Sequence, residues 1–286
     1  DYELALESTI ITQNGTEEQY GRIPQGQIEG DYNEYDPYIG ATVSNIGAND
    51  IYNANILYQV KYNNEIISSS SLPSFDINSG ENTTVTENID FNSEPGIYEY
   101  NFMVNTDDDN IQNNNIEERK FEVTQNNGGL YSLDGIGVYD DPTISRMGTG
   151  SFTDATDGLI FMSYYNLTSD DPVYGIEFLL DSYHYENYLS ESGGEVIVSL
   201  KDFYSVFEYN DVWSDYVQSD FYLITEEDIN NGKVFIPFNE PWYGSGQFYA
   251  SVEMYSNGDE TPIYLLNDET YPQVNNSSMI YIPGDQ

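Results

Sequence analysis

What this chain can fold into is set first by a two-residue rhythm of apolar and polar side chains. It returns along the whole length with no long helical stretch to interrupt it. Successive side chains of a pleated strand point to opposite faces, so strict alternation marks a strand with one face buried. Ala54, Ile56, Tyr58 and Val60 form such an apolar face, while Asn53, Asn55, Gln59 and Lys61 look outward. Ile39, Ala41 and Val43 alternate in the same way with Tyr38, Thr42 and Ser44. Tyr98, Tyr100, Phe102 and Val104 alternate with Glu99, Asn101 and Met103, and after an acidic, asparagine-rich loop Phe121 and Val123 alternate with Lys120 and Glu122. Further strands are expected at 2–12, 75–77 and 83–91, with residues 68–73 read as a small-residue loop.

No amphipathic helical run lies between any of these strands, so they suit a seven-stranded sandwich rather than βαβ units. A first, immunoglobulin-like sandwich is expected over residues 1–124, a flexible polar linker at 125–130 (QNNGGL), and a second domain over 131–286. In that second half, strands are expected at 144–152, 159–165, 174–180, 195–200, 233–238, 247–256, 263–266 and 279–282, enough for a jelly-roll-like double sheet. In 247–256, Phe248, Ala250, Val252 and Met254 share one face, and Gln247, Ser251 and Glu253 the other. The single helical signal is TEEDINNG at 225–232. There Thr225 can cap the amide of Asp228, three acids sit at the positive end of the turn, and Asn231 and Gly232 end it. The expected fold class is therefore all-β, with two β-sandwich domains.

Charge narrows the partners. Fifty acidic residues against seven basic ones leave a formal charge of −43 over 286 residues, which disfavours nucleic acid and anionic membrane surfaces and favours cations. The acids are interleaved with Tyr, Val, Ile and Phe in strand patterns, so the chain should fold rather than stay disordered. Without cysteine there is no disulfide scaffold, no thiol catalysis and no Cys-type zinc site. No stretch approaches the ~20 apolar residues of a membrane-spanning helix. Asp1 opens directly on a strand pattern, so any secretory leader is expected to have been removed or left out. Scarce lysine with abundant Asn, Tyr, Ser and Thr fits an extracellular or cell-surface location.

Two resemblances add to this reading. VSNIGAND, SGENTTVT, EPGIYEYNFMVNTDDDNIQNNN and RKFEVT, within residues 35–124, resemble the immunoglobulin-like modules called CARDB, an adhesion-related domain whose final hairpin carries an acidic loop. LYSLDG, MGTGSFTDATDG, YGIEFLL, TEEDINNGK, QFYASVEMYSNGDETPIYLLND and NNSSMIYIPGDQ are similar to the jelly-roll-like region of large secreted proteins of Bacteroidota. Those proteins end in a sorting domain read by the type IX secretion system. The sequence stops at Gln286 without one, so it is expected to be a fragment or a processed product. The resemblances imply a spacer or binding module and no catalysis.

Candidate chemistry is sparse. His184 is the only histidine, and a Ser–His–Asp arrangement with Ser182 is weighed against an ordinary surface residue, which the lack of a nucleophile elbow favours. Fifty acids allow many carboxylate pairs, which makes any one pair uninformative for glycoside hydrolysis. Asn105, Asp107 and Asp109 present three oxygen-bearing groups at alternating positions, as a Ca2+ loop does, yet lack the glycine and glutamate of an EF-hand; the alternative is a solvated hairpin tip. Asp140 with Asp141, Asp154 with Asp157, and Asp259 with Glu260 are weaker cation candidates. Twenty-eight tyrosines exceed what the core needs, and rings beside Asn and Asp are what sugar-binding surfaces use. The ligand-binding candidates are Tyr183, Tyr185 and Tyr188, and Trp242 with Tyr243, against the alternative of ordinary strand tyrosines.

The expected function is a non-catalytic surface, adhesion or structural module of a larger secreted bacterial protein, stabilised by calcium and able to join a filament through edge strands. The alternative is a carbohydrate-binding accessory region of a secreted hydrolase. Expected partners are a glycan or another cell-surface protein.

Overall fold

The computed structural model describes residues 2–12, 19–29, 38–89, 93–105, 112–126, 128–153, 156–181, 189–208 and 213–283. By internal contacts the chain divides into two compact units, one of Asp1–Pro142 with Thr270–Val274 and one of Thr143–Glu269 with Asn275–Gln286. Residues 131–142, expected in the second domain, are thus grouped with the first, as is a short segment that returns from far along the chain.

The first unit holds β1 (Leu4–Thr12), β2 (Arg22–Pro24), the short α1 (Gln25–Glu29), β3 (Tyr38–Asn45), β4 (Ile51–Tyr62), β5 (Glu65–Ser71), β6 (Phe75–Ile77), β7 (Asn82–Asn88), β8 (Gly96–Asn105) and β9 (Ile116–Thr124). One sheet runs β1-β3-β7 and the other β2-β9-β8-β4-β5, with β6 also on β4. The chain crosses from the smaller sheet to the larger between β3 and β4, returns between β6 and β7 and crosses again between β7 and β8, and β8 of the β8–β9 pair lies against β4. That is the Greek-key order of an immunoglobulin-like sandwich. The alternation read from the sequence holds, because Ala54, Ile56, Tyr58 and Val60 pack with Tyr98, Tyr100, Phe102, Phe121 and Val123 against Leu4, Ile11, Ile39, Ala41 and Val43. The aromatic side chains form a continuous stack in which Tyr98 lies 5.3 Å from Phe121 and Tyr62 4.9 Å from Tyr98.

Two features were not read from the sequence. Residues 68–71 belong to a strand, β5, which pairs antiparallel with β4. The serine run hid it by carrying no apolar alternation. Arg119 occupies an inward position of β9, two residues before Phe121, and is 1% exposed. It donates to the carbonyl of Tyr20 at 2.6 Å and to that of Lys120, and its guanidinium carbon lies 3.4 Å from the centroid of the Tyr271 ring. Tyr271 comes from the returning segment, where Gln273 Nε2 donates to Gln19 O at 2.7 Å while Gln273 Oε1 accepts from Gln19 N at 3.1 Å.

The second unit holds β10 (Ile144–Gly148), β11 (Asp157–Leu167), β12 (Pro172–Leu179), β13 (Glu195–Asp202), α2 (Phe203–Glu208), β14 (Asp215–Gln218), β15 (Tyr222–Leu223), α3 (Glu226–Asn231), β16 (Lys233–Tyr243), β17 (Gly246–Tyr255), β18 (Tyr264–Asp268) and β19 (Ser278–Tyr281). One sheet runs β14-β13-β17-β11-β19, with β15 also on β13; β10 pairs with β18 and β12 with β16. A bridge between Leu180 and Leu265 brings β12 beside β18. The pairs β10 with β18, β11 with β17 and β12 with β16 nest inside one another, as in a long hairpin rolled up, which is jelly-roll-like winding.

The expected single helix turn is present as α3, with Thr225 as its cap. The Thr225 hydroxyl accepts from Asp228 N, the Asp228 carboxylate accepts from Thr225 N, and Gly232 closes the turn at φ 68°. The structure adds α1 and α2, which the sequence reading lacked. It also buries both faces of β13 and β17. Ser251, expected outward, is paired with Ser199 at 2.8 Å, because α2 and Trp213 lie over Ile160, Met162, Tyr164 and Tyr249 and form a second small core.

Candidate functional site

At one end of the second unit's larger sheet, strand register gathers a row of rings. Tyr165 of β11 and Asp202 of β13 both lie opposite Phe248 of β17. The Tyr165 and Phe248 rings stack at 5.9 Å, Trp242 meets Phe248 edge-on at 5.4 Å, and Tyr216 stacks on Trp242 at 5.3 Å with 24° between the planes. A Cβ on Gly244 would come within 2.4 Å of the indole, so the bare glycine is what lets Trp242 lie back over the chain. The row runs from buried to open. Phe248 is buried, Trp242 is half-buried and Tyr216 is 46% exposed, while Tyr204, 62% exposed, sets its ring against Phe203 rather than in the row.

A single carboxylate anchors the open end. Asp202 ends β13 and caps α2, its Oδ2 accepting from Ser205 N at 2.8 Å while Oδ1 accepts from the Tyr216 hydroxyl. Burial first, then this hydrogen bond and the Asp202 charge, push the Tyr216 phenol up to about 12. The result is flat ring surface beside a fixed acceptor, the combination that stacks on a sugar face and takes hydrogen bonds from its hydroxyls. Of the pair expected from sequence, Trp242 belongs to this row. Tyr243, its neighbour in β16, is 68% exposed and, by the pleat, points to the other side of the strand. Tyr216 and Asp202 were missed, although the DFYS run after a strand is a helix-cap signal that could have located Asp202.

The other candidates fare differently. Tyr183, Tyr185, Tyr188, Ser182 and His184 lie outside the described residues, as do Asp107, Asp109 and Asp154; Asn105 ends β8. Both oxygens of Asp157 are used by backbone amides, accepting from Ser256 N at 2.8 Å and Gly258 N at 3.0 Å. Among the described residues no group of three His, Cys, Asp or Glu side chains is arranged to hold a metal ion. No helix among them is long and apolar enough to cross a membrane.

The seven basic residues show one further regularity, since all of them lie in strands and all are engaged within their own unit. Arg22 pairs with Glu122 at 3.0 Å, Lys61 with Glu99, Lys120 with Glu118 at 2.8 Å, Arg146 with Asp181 at 2.8 Å, Lys201 with Asp215 at 3.0 Å and Lys233 with Glu177 at 3.3 Å. The seventh is Arg119 on Tyr271. Burial opposes the Glu99 charge, but hydrogen bonds from Lys61 and Asn101 and the charges of Lys61 and Lys120 outweigh it and hold the carboxyl below its ordinary range. What remains for solvent is an excess of carboxylates.

No protein-family model matches the chain, and no curated protein matches it. Among solved structures, a CARDB domain from Pyrococcus furiosus, determined in complex with di-metal ions, is similar over 43% of this chain and 94% of that domain, at 15% identity and a TM-score of 0.30. A Pseudomonas fluorescens alkylpurine DNA glycosylase bound to DNA containing an abasic site analog is similar over 42% of this chain and 30% of its own length, at 12% identity and a TM-score of 0.28. At those values the first unit's immunoglobulin-like character rests on its own strand order and core.

Proposed function

We propose that this chain is a non-catalytic adhesion module of a larger secreted bacterial protein, and that it adheres to uncharged glycans through the surface formed by Trp242 and Tyr216 beside Asp202. The observation that carries the reading is the stacked Tyr216 and Trp242 pair next to a carboxylate already oriented by two hydrogen bonds. With all seven cations engaged internally, an anionic polysaccharide finds carboxylates and no counter-charge, so neutral sugars fit the surface better. The resemblance of the second half to secreted Bacteroidota proteins handled by the type IX system supports an extracellular location.

The same surface favours the alternative, an accessory glycan-binding region attached to a hydrolase, and the two differ only in what the parent protein carries. A glycan array probed with the intact chain tests both. Binding to neutral glycans, lost at least about tenfold in Trp242→Ala and in Tyr216→Ala, is the expected result, in keeping with stacking worth ~1 kcal/mol or more per ring. Silence across the array, or binding indifferent to both substitutions, would remove the platform from function. Turnover of any bound glycan by the purified chain would end the non-catalytic reading.

A further inference from the structure

Among the described residues β5 is the outer strand of the first unit's larger sheet, paired with β4 on one side only. All seven of its residues are exposed, among them Ile66 and Ile67. From Ile66 to Phe75 the sequence carries no charged residue, in a chain with fifty acids. An edge strand offers a row of backbone donors and acceptors to any strand that can reach it, and proteins usually guard such rows with lysine, proline or inward charge. In β5 the guards are confined to one end, the charge of Glu65 and the slip at Ile67, and residues 68–71 carry none. Its pairing with β4 runs regularly from Ser71 to Ser68 and slips at Ile67, so the regular stretch of open ladder is residues 68–71, all serine.

We propose that β5 is a homotypic pairing edge, where β5 strands from two copies of this chain add antiparallel about a two-fold axis between Ser69 and Ser70 and join their larger sheets. Charge selects the occupant. A cationic partner would settle on the carboxylate-rich remainder of the surface and gain nothing from a neutral strip. A second copy, carrying the same −43, is repelled everywhere except where charge is missing. It also cannot dock by opposite charge, since every basic side chain is engaged at home. Serine side chains are short enough for two backbones to reach ladder distance, and one self-complementary strip suffices for an isologous contact. Four residues a side bury much less than the ~1,000 Å² of a stable interface, so the pairing is weak, and screening of the surrounding acids tightens it. None of this depends on the aromatic platform, so Trp242→Ala leaves it unchanged.

Sedimentation of the intact chain over a wide concentration range, in low and in high sodium chloride, tests the proposal. The expected result is a monomer–dimer equilibrium about tenfold or more tighter in high salt and abolished by Ser69→Glu, which puts an acid into the strip. Circular dichroism and the melting temperature check that this variant is folded. Because the chain has no cysteine, a mixture of Ser69→Cys and Ser70→Cys proteins gives a second readout. It should crosslink on mild oxidation in high salt, while Gln218→Cys, on the edge strand β14, should not. A chain that stays monomeric at every concentration and salt level overturns the proposal. So does a dimer indifferent to Ser69→Glu, or one in which the Ser69→Cys and Ser70→Cys mixture crosslinks no better than the Gln218→Cys control.

Discussion

The guanidinium of Arg119 sits over the ring of Tyr271, its carbon 3.4 Å from the centroid, and among the described residues it bonds to backbone carbonyls and pairs with no carboxylate. A buried cation of this kind is held by the ring face and by oriented carbonyl dipoles. The Tyr271 hydroxyl completes the arrangement by donating to Lys120 O at 2.8 Å. Tyr271→Ala should therefore cost about 3–5 kcal/mol, more than the lost ring alone, since it leaves a buried charge uncovered. Tyr271→Phe keeps the ring and should cost only about 1 kcal/mol. Urea unfolding of the two variants measures the difference, and equal costs would mean that the ring face contributes nothing. A chain cut after Pro142 lacks Tyr271 and Gln273 and should show faster amide exchange around Gln19 to Arg22 than the whole protein.

Alkali should reveal the aromatic core. Burial drives the phenols of Tyr98, Tyr100 and Tyr271 well above the ordinary tyrosine value, and Tyr255 and Tyr216 are each pushed up to about 12. A folded-state value above the unfolded one means that the native state holds the proton more tightly. The associated stability is complete below ~10 and drains away as the pH climbs past it toward the folded-state values. Phenolate absorbance should accordingly rise in two stages, exposed rings near ~10 and the core rings only together with the loss of sheet signal. A single smooth titration with the fold intact would contradict the buried state of those three rings.

Salt should stabilise the protein. With −43 net charge and its cations already committed, carboxylate repulsion acts over the ~30 Å screening length of 0.01 M salt and is cut to ~10 Å at 0.1 M. The melting temperature should climb across that interval. A flat profile would show that the acids lie too far apart to matter. Added calcium at matched ionic strength separates screening from a bound ion, because only the latter raises the melting point further.

The turn at 225–232 offers a local check. Thr225→Ala removes the hydroxyl that accepts from Asp228 N at 3.2 Å and donates to Asp228 Oδ2 at 2.7 Å, and should cost about 1 kcal/mol of stability. Thr225→Ser should retain most of it, and a Ser variant as unstable as Ala would assign the loss to the methyl group.

That turn was legible in the sequence because capping is written in residue types three positions apart. The core of the first unit was legible for a similar reason, as the run from Ala54 to Val60 spells its inward face in steps of two. The rest was hidden where burial depends on what another segment does. Ser251 reads as a solvent residue until α2 and Trp213 cover its side of the sheet. Arg119 shares the inward face of Phe121 by its two-residue spacing, but what covers its charge, Tyr271, comes from far along the chain. β5 reads as a loop because strand pairing with β4 needs backbone alone, and serine leaves no apolar trace. The aromatic row was half visible, since Trp242 stood out while Tyr216 and Asp202 reach it only through the pairing of β13 with β14 and β17.

The confinement of every lysine and arginine to a strand also bears on digestion. Trypsin-like proteases cut after these residues, and need several residues of extended, unpaired backbone to do so. Each potential cut site here is locked into a sheet. The folded molecule should survive such enzymes intact and be dismantled only after it opens, so in a protease-rich medium its lifetime would be set by its unfolding equilibrium.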